Sequence, residues 1–123
     1  MEYLVSAIVG YIIGCFQTSY LLGKALKQTD IREHGTSNAG ASNAAIVFGW
    51  KYGFIIALVD IGKTILAVTI IGLVYPGDHI LKYIAGLSCI LGHIFPFYMQ
   101  FKGGKGFAPY AGLVMAINWR WGL

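Results

Sequence analysis

The chain has 123 residues, of which 57% are hydrophobic and only 11% are charged. A soluble domain carries about 25% charged residues, so this composition argues against a water-soluble globular protein. The net charge of +4 does not indicate a nucleic-acid-binding protein, because the nine lysines and arginines lie mostly in short gaps between apolar runs. We therefore expect an all-α, polytopic integral membrane protein that binds no nucleic acid.

The first apolar run, residues 3–22, carries no charge and is about as long as a helix that crosses the hydrocarbon core. Because Met1 is followed by an acidic residue and not by a basic segment, we expect a retained helix and not a cleaved signal peptide. Gln17 within this run needs a hydrogen-bond partner, which either helix packing or a polar cavity can supply. Cys15 here and Cys89 in a later apolar run lack zinc-ligand spacing and are expected to be buried thiols.

The loop between Lys24 and Lys51 is more basic than acidic. By the positive-inside rule it should lie in the cytoplasm, which places the N-terminus outside.

The most polar segment of this loop is His34–Asn43, with two glycines, two serines, one threonine and two asparagines. It cannot lie against lipid, because its polar groups would be unpaired there. The small and apolar run 39–48 overlaps it and is too short to cross a membrane, which predicts a re-entrant half-helix. Asn38 or Ser37 is expected to be the N-cap of this half-helix.

The second span, residues 51–75, contains Asp60 and Lys63 one helical turn apart. Opposite charges within a span are costly unless they pair or line water. The pair either only locks the helix geometry or serves a functional site. We favour the functional role, because both residues lie towards the side of the polar loop.

The third span, residues 80–101, contains Pro96, which should kink or end the helix. Its lone histidine, His93, is expected to be a hydrogen-bonded structural residue. A fourth apolar run, residues 107–118, is too short to cross a bilayer and is followed by residues 119–123. We expect a single membrane domain over residues 1–123, with three full transmembrane helices, a truncated fourth and the half-helix, as a fragment of a longer multi-span domain.

A second polar segment, Lys102-Gly103-Gly104-Lys105-Gly106, separates the third and fourth runs. Glycines allow the backbone to approach a ligand closely, and lysines add positive charge. The segment is not a P-loop, because glycine replaces the required Ser or Thr after the last lysine, and a basic cytoplasmic turn is the simpler alternative. Spans of alternating direction place it on the same side as His34–Asn43. Together the two segments predict a cytoplasm-facing site for phosphate or another compact oxyanion.

These motifs resemble those of a known family, the bacterial acyl-phosphate:glycerol-3-phosphate acyltransferases (PlsY family). His34–Asn43 is similar to the family's Gly-Ser-Gly-Asn-x-Gly-Ala-Thr-Asn motif, and Asp60-Ile61-Gly62-Lys63 to its Asp-x-x-Lys. Gly92–Pro96 followed by Phe101–Gly106 is close to identical to its second motif. Family members have more spans than this chain, so the resemblance covers their N-terminal part.

The resemblance implies transfer of an acyl chain from acyl phosphate to glycerol 3-phosphate at a bacterial inner membrane, a step of phospholipid biosynthesis. It implies no cofactor or metal; the partners are the two substrates and the lipid bilayer. Lys105 would be the catalytic residue at the glycerol phosphate. The residues expected to bind phosphate or substrate are Thr36, Ser37, Asn38, Gly40, Ser42, Asn43, Lys63, Lys102, Gly103 and Gly104.

Three features depart from the family pattern. Thr36-Ser37 stand where the family usually has Ser-Gly, and Ile46 stands where it carries an arginine that binds substrate phosphate. The family's third motif, with its histidine and asparagine, would lie beyond residue 123. The alternatives are therefore an anion-binding membrane transporter and a non-catalytic membrane relic.

Overall fold

The computed structural model describes residues 1–118. Within this range the chain forms six α-helices and no strand, which confirms the all-α prediction. The tail expected after the fourth apolar run, residues 119–123, lies outside the described residues. The helices are α1 (Glu2–Gly14), α2 (Thr18–Leu26), α3 (Ala41–Phe48), α4 (Trp50–Val74), α5 (His79–Ile94) and α6 (Phe107–Ile117), with 3₁₀ turns at Ile31–Glu33 and Phe97–Met99.

Three helical segments are long and apolar enough to cross a membrane, namely Glu2–Leu26, Trp50–Val74 and His79–Met99. By contrast, α6 has only 11 residues. These lengths confirm the prediction of three full spans and a shorter fourth helix. The central element is α4, which packs against α1, α3, α5 and α6. The domain boundary over residues 1–123 stays a prediction.

The first span is interrupted, which corrects the prediction of one continuous helix over residues 3–22. Helix α1 ends at Gly14, and α2 begins three residues after the break starts, at Thr18. Lys63 Nζ from α4 donates hydrogen bonds to the carbonyl oxygens of Gly14 and Phe16, at 3.0 and 2.8 Å. Because carbonyl groups at a helix end find no water in the hydrocarbon core, this ammonium lets the helix stop within the span.

Gln17 lies in the same break and is almost completely buried. Its side-chain Nε2 donates a hydrogen bond to the backbone oxygen of His93 at 2.7 Å. Packing against α5 therefore supplies the partner that the sequence left open.

Small residues bring α1 and α5 into close contact. Gly10 and Gly14 face the backbone of Ala85 and Cys89, and a Cβ atom on either glycine would clash with the opposite carbonyl oxygen. Helices in lipid associate through such close van der Waals packing, because lipid tails remove the hydrophobic driving force. Cys89 and Cys15 are buried free thiols, as predicted.

The short helix after the polar loop, α3, begins at Ala41, and its N-cap is Gly40. The prediction of Asn38 or Ser37 as the cap was therefore wrong. Asn38 Oδ1 instead accepts a hydrogen bond from the backbone N–H of Gly40, at 2.8 Å. With 8 residues α3 is about 12 Å long, at ~1.5 Å per residue, and it packs against α4. Its re-entry into the membrane stays a prediction.

The third span ends as a helix at Ile94, earlier than the predicted boundary at residue 101. Pro96 follows, and the chain then doubles back through Gln100 and Phe101, which both have positive φ angles. The backbone N–H of Phe101 donates to the oxygen of Pro96 at 3.0 Å. The proline thus ends the helix, as expected, and the tight reversal returns the next segment to the end of α5.

We predict that Gly10→Ala lowers the stability of the protein, because the added methyl group must push α1 away from the α5 backbone. The expected loss is about 1–3 kcal/mol, as for other overpacked interfaces. Thermal unfolding in detergent micelles measures it. Gly62→Ala is the matched control, because nothing lies within 4 Å of a Cβ atom at that position. Equal stability of the two variants would contradict the close α1–α5 contact.

Candidate functional site

The first wall of the candidate site is the segment His34–Asn43, which Asn43 holds in shape from within. Asn43 is fully buried, and its Oδ1 accepts a hydrogen bond from the backbone N–H of Thr36 at 2.7 Å. Its Nδ2 lies 2.7–3.2 Å from three backbone carbonyl oxygens of the same loop. This loop lacks the regular backbone hydrogen bonds of a helix or strand, and the Asn43 side chain supplies hydrogen bonds to its backbone instead.

A smaller set of contacts fixes the middle of this wall. Asn38 Nδ2 donates to Thr36 Oγ1 at 3.1 Å, while its Oδ1 accepts from Gly40 as described above. Ser37, between them, has a φ angle of +64°, in the left-handed region that favours glycine. The PlsY family motif usually has a glycine at this position. Ser37 therefore keeps a backbone conformation that suits glycine better than serine.

Arg32, which lies just before the first wall in the same loop, ties this loop to the second one. Its guanidinium binds the carboxylate of Asp30, with 2.6 Å between Nη2 and Oδ2, and its Nη1 donates to the backbone oxygens of Met99 and Lys102 at 2.6 and 2.9 Å. The hydrogen bond from Arg32 holds the pKa of the Asp30 carboxyl below its usual value, and the same bond raises the pKa of Arg32. Both loops are therefore tied together by one charged side chain.

The second wall is the segment Lys102–Gly106, which folds back over the end of α5. The N–H groups of Gly103 and Gly104 donate to the backbone oxygens of Ile94 and His93, at 2.8 and 3.1 Å. A Cβ atom at Gly103 would clash with the His93 backbone oxygen, and one at Gly104 would clash with the His93 ring. These two glycines are thus required for close packing on His93.

The two walls meet directly, because the N–H of Ala39 donates to the oxygen of Gly103 at 3.3 Å. Beside this contact lies a cavity of about 270 Å³. Its polar lining comes from the first wall, from Lys105 and from two membrane-crossing helices. The lining residues are Thr36, Asn38, Gly40, Ala41, Ser42, Ala57, Asp60, His93, Lys105, Gly106, Phe107 and Ala108.

A buried cluster of charged and polar side chains forms the inner side of the cavity, where Asp60 and His93 line it and Lys63 lies behind them. Lys63 Nζ is 2.8 Å from His93 Nδ1 and 3.3 Å from Asp60 Oδ1, in addition to its contacts with the end of α1. All three residues are buried, which is tolerable in a span because each charge faces an opposite charge or a polar atom.

The structure brings five of the predicted site residues to the cavity surface: Thr36, Asn38, Gly40, Ser42 and Lys105. The other six do not line it: Ser37, Asn43, Lys63, Lys102, Gly103 and Gly104. Most of these shape the walls through the contacts described above, and Lys102 has an exposed side chain. The substrate contacts of all eleven stay predictions.

Asp60 and His93 also line the cavity. Asp60 was predicted to have a functional role with Lys63 but was not among the predicted substrate-binding residues, and His93 was predicted only as a structural residue. The available signal was their type, since a carboxylate and an imidazole in apolar spans usually face a polar interior. His93 is hydrogen-bonded, as predicted, and it lines the cavity as well. The sequence-based prediction also missed the role of Arg32 in linking the two loops. The nearby Asp30 could have indicated an ion pair next to the polar segment.

Ile46, at the position where the resemblance implies an arginine, does not line this cavity. It is 63% exposed and lies in a separate, open groove together with Lys27, Thr29 and His34. The apolar side chain at this position therefore adds no positive charge to either depression.

We predict that Asp30→Asn lowers the free energy of unfolding by about 1–2 kcal/mol at pH 7, because Arg32 loses a charge-assisted hydrogen bond. Since the pKa of Asp30 is depressed in the folded state, the wild type keeps this advantage above its unfolded-state pKa of about 4 and loses it as the pH falls through the folded value. Thermal unfolding from pH 3 to 7 measures both curves. A difference that does not shrink at low pH would contradict this account.

We predict that Ser37→Gly raises the stability by about 1 kcal/mol, because glycine adopts a positive φ angle without the steric cost of a Cβ atom. Ser42→Gly is the matched control, since Ser42 lies within α3 and glycine should there cost about 0.5–1 kcal/mol. The two variants should shift the unfolding temperature in opposite directions. A shift in the same direction would show that the strain at Ser37 is not relieved.

Comparisons with known proteins identify one family of relatives. A family model described as glycerol-3-phosphate acyltransferase matches residues 4–123. Glycerol-3-phosphate acyltransferase 1 of Oceanobacillus iheyensis is 42% identical over 98% of this chain and 61% of its own length. The glycerol-3-phosphate acyltransferase of Chlorobaculum tepidum is 41% identical over 95% of this chain and 55% of its own length.

Two solved structures of PlsY, an integral membrane glycerol 3-phosphate acyltransferase, share the fold. Its glycerol 3-phosphate form superposes with a TM-score of 0.88 at 31% identity, covering 99% of this chain and 60% of that one. Its lysophosphatidic acid form gives a TM-score of 0.85 at 28% identity. The chain thus spans about three-fifths of the length of the relatives it matches. It belongs to the glycerol-3-phosphate acyltransferase family of integral membrane proteins.

Proposed function

We propose that this chain carries the substrate cavity of an acyl-phosphate:glycerol-3-phosphate acyltransferase that serves phospholipid biosynthesis. The observation that carries the proposal is the shared cavity: Lys105 from the second loop lines it together with Thr36, Asn38 and Ser42 from the first. This combination offers one positive charge and several hydroxyl and amide groups. Such groups suit the phosphates of the two substrates.

In the proposed reaction the first hydroxyl of glycerol 3-phosphate attacks the carbonyl carbon of the acyl phosphate. A new ester bond forms, the bond from the acyl carbon to the phosphate oxygen breaks, and the departing phosphate takes up the hydroxyl proton. The products are 1-acylglycerol 3-phosphate and inorganic phosphate. The protein needs no nucleophile of its own, because holding two phosphorylated substrates in the right orientation supplies much of the rate.

Within this proposal the polar loop binds phosphate through Thr36, Asn38 and Ser42, and the Lys105 ammonium pairs with the phosphate of glycerol 3-phosphate. Asn43 and Arg32 keep the loops in place. The related proteins carry acyltransferase names, which does not favour the transporter alternative.

We also propose that the cavity faces the cytoplasm of a bacterial cell membrane, with the N-terminus outside. Within residues 1–118 the cavity end carries most of the basic residues, among them Lys24, Lys27, Lys51 and Lys105, whereas Lys82 lies near the opposite end. Basic loops remain on the cytoplasmic side during membrane insertion.

Lys105→Ala should lower kcat/KM for acyl transfer by at least tenfold, about 1.4 kcal/mol of transition-state stabilisation. The assay follows release of phosphate from acyl phosphate in the presence of glycerol 3-phosphate, using purified protein in lipid. Lys51→Ala is the matched control, because Lys51 is exposed at the same end and does not line the cavity. Wild-type protein that transfers no acyl group would contradict the proposed reaction, and an unchanged Lys105→Ala variant would remove this residue from the site.

The orientation can be tested with two single exposed cysteines, Lys27→Cys and His79→Cys, at opposite ends of the spans. A membrane-impermeant maleimide added to intact spheroplasts should label the cysteine at position 79 and not the one at position 27. Both should react after lysis, while the buried native thiols stay unreactive. The reverse labelling pattern would overturn the proposed orientation.

A further inference from the structure

His93 occupies the side of the cavity that is formed by the membrane-crossing helices. It is 2% exposed, and with Asp60 it contributes the polar lining that comes from α5 and α4. The remaining polar lining comes from the two loops. An acyl phosphate carries its chain in the membrane, so its carbonyl group enters the cavity nearest to these helices.

Lys63 determines which nitrogen of His93 carries the proton. An ammonium group has three protons and accepts no hydrogen bond. Lys63 Nζ is within 3.0 Å of three acceptors, the oxygens of Gly14 and Phe16 and Nδ1 of His93. Because Nδ1 accepts one of these protons, the proton of the neutral imidazole must lie on Nε2. Asp60 Oδ1, at 3.3 Å, balances the lysine charge.

Gly104 packs beside Nε2 without adding a side chain there. A Cβ atom at position 104 would clash with Nε2 of His93. In the part of the chain that the structure describes, no protein atom accepts a hydrogen bond from Nε2. A ring N–H of a residue that lines a cavity, without a protein acceptor, is suited to a ligand oxygen.

We propose that His93 Nε2–H donates a hydrogen bond to the carbonyl oxygen of the acyl phosphate, and that Lys63 is the positioning residue that holds this tautomer. The inference rests on the proposed function. A carbonyl oxygen fits better than a phosphate oxygen, because Nε2–H of a neutral imidazole offers one hydrogen bond without a positive charge, whereas Lys105 in the same cavity offers the charge that a phosphate needs.

The hydrogen bond gains strength during the reaction. When the hydroxyl oxygen adds to the carbonyl carbon, the carbonyl oxygen becomes negative, and it becomes neutral again as phosphate leaves. A fixed donor stabilises the charged transition state more than the neutral substrate. His93 keeps its proton throughout, so the step needs no additional acid or base.

Two substitutions separate this role from a purely structural one. In His93→Asn the amide oxygen replaces Nδ1 and can still accept from Lys63, but the donor at Nε2 is lost. In His93→Gln the amide nitrogen takes the place of Nε2, and the contact with Lys63 is altered. We expect His93→Asn to lower kcat by at least about 100-fold with less than about threefold change in KM, and His93→Gln to keep most of the rate.

The opposite order of the two variants would overturn the proposal, because it would show that only the contact with Lys63 matters. Gly62→Ala serves as the control for expression and folding, since a side chain at that position meets no neighbour.

A second measurement does not depend on turnover. In lipid-reconstituted protein with ¹⁵N-labelled histidine, NMR should show His93 protonated on Nε2 and unprotonated on Nδ1, with the His93→Asn variant giving the assignment. A non-hydrolysable acyl phosphonate should shift the Nε2 resonance. A shift in protein that transfers no acyl group would contradict the proposed function and keep the His93 contact. No shift with the phosphonate would overturn the His93 proposal, whether or not the protein is active.

Discussion

The ammonium group of Lys63 is the interaction on which the rest of the structure depends. It lies inside a membrane span and contacts the broken end of α1, the carboxylate of Asp60 and the ring of His93. Without a donor there, the carbonyl groups at the end of α1 would be unpaired in a medium without water. One buried charge therefore permits the helix break, joins three spans and orients a side chain of the cavity.

Two further side chains give the loops a fixed shape without regular secondary structure. Asn43 satisfies backbone groups within the first loop, and Arg32 ties that loop to the second. Both act on backbone oxygens, which are the groups that a loop at a membrane surface must pair. Rigid walls of this kind suit a site in which orientation of two substrates supplies the rate.

The sequence predicted the fold well where a local pattern was sufficient. Run lengths gave three spans and a short fourth helix, and Pro96 marked the end of the third span. It failed at the break in the first span, because residues 15–17 contain neither proline nor glycine and the cause lies on another helix. It also missed His93 as a cavity residue, since the return of the chain to α5 depends on contacts made after Pro96.

The sequence by itself determined the class of protein, the polar loops and the family, because hydrophobic run length and motif spacing are local properties of the chain. The tertiary structure decided which of the polar residues line the cavity and which support it. Lys63 and Lys105 were both predicted from the sequence to contact substrate, yet one is enclosed by acceptors and the other lines the cavity. Only packing determines that difference, because it fixes which acceptors each ammonium can reach.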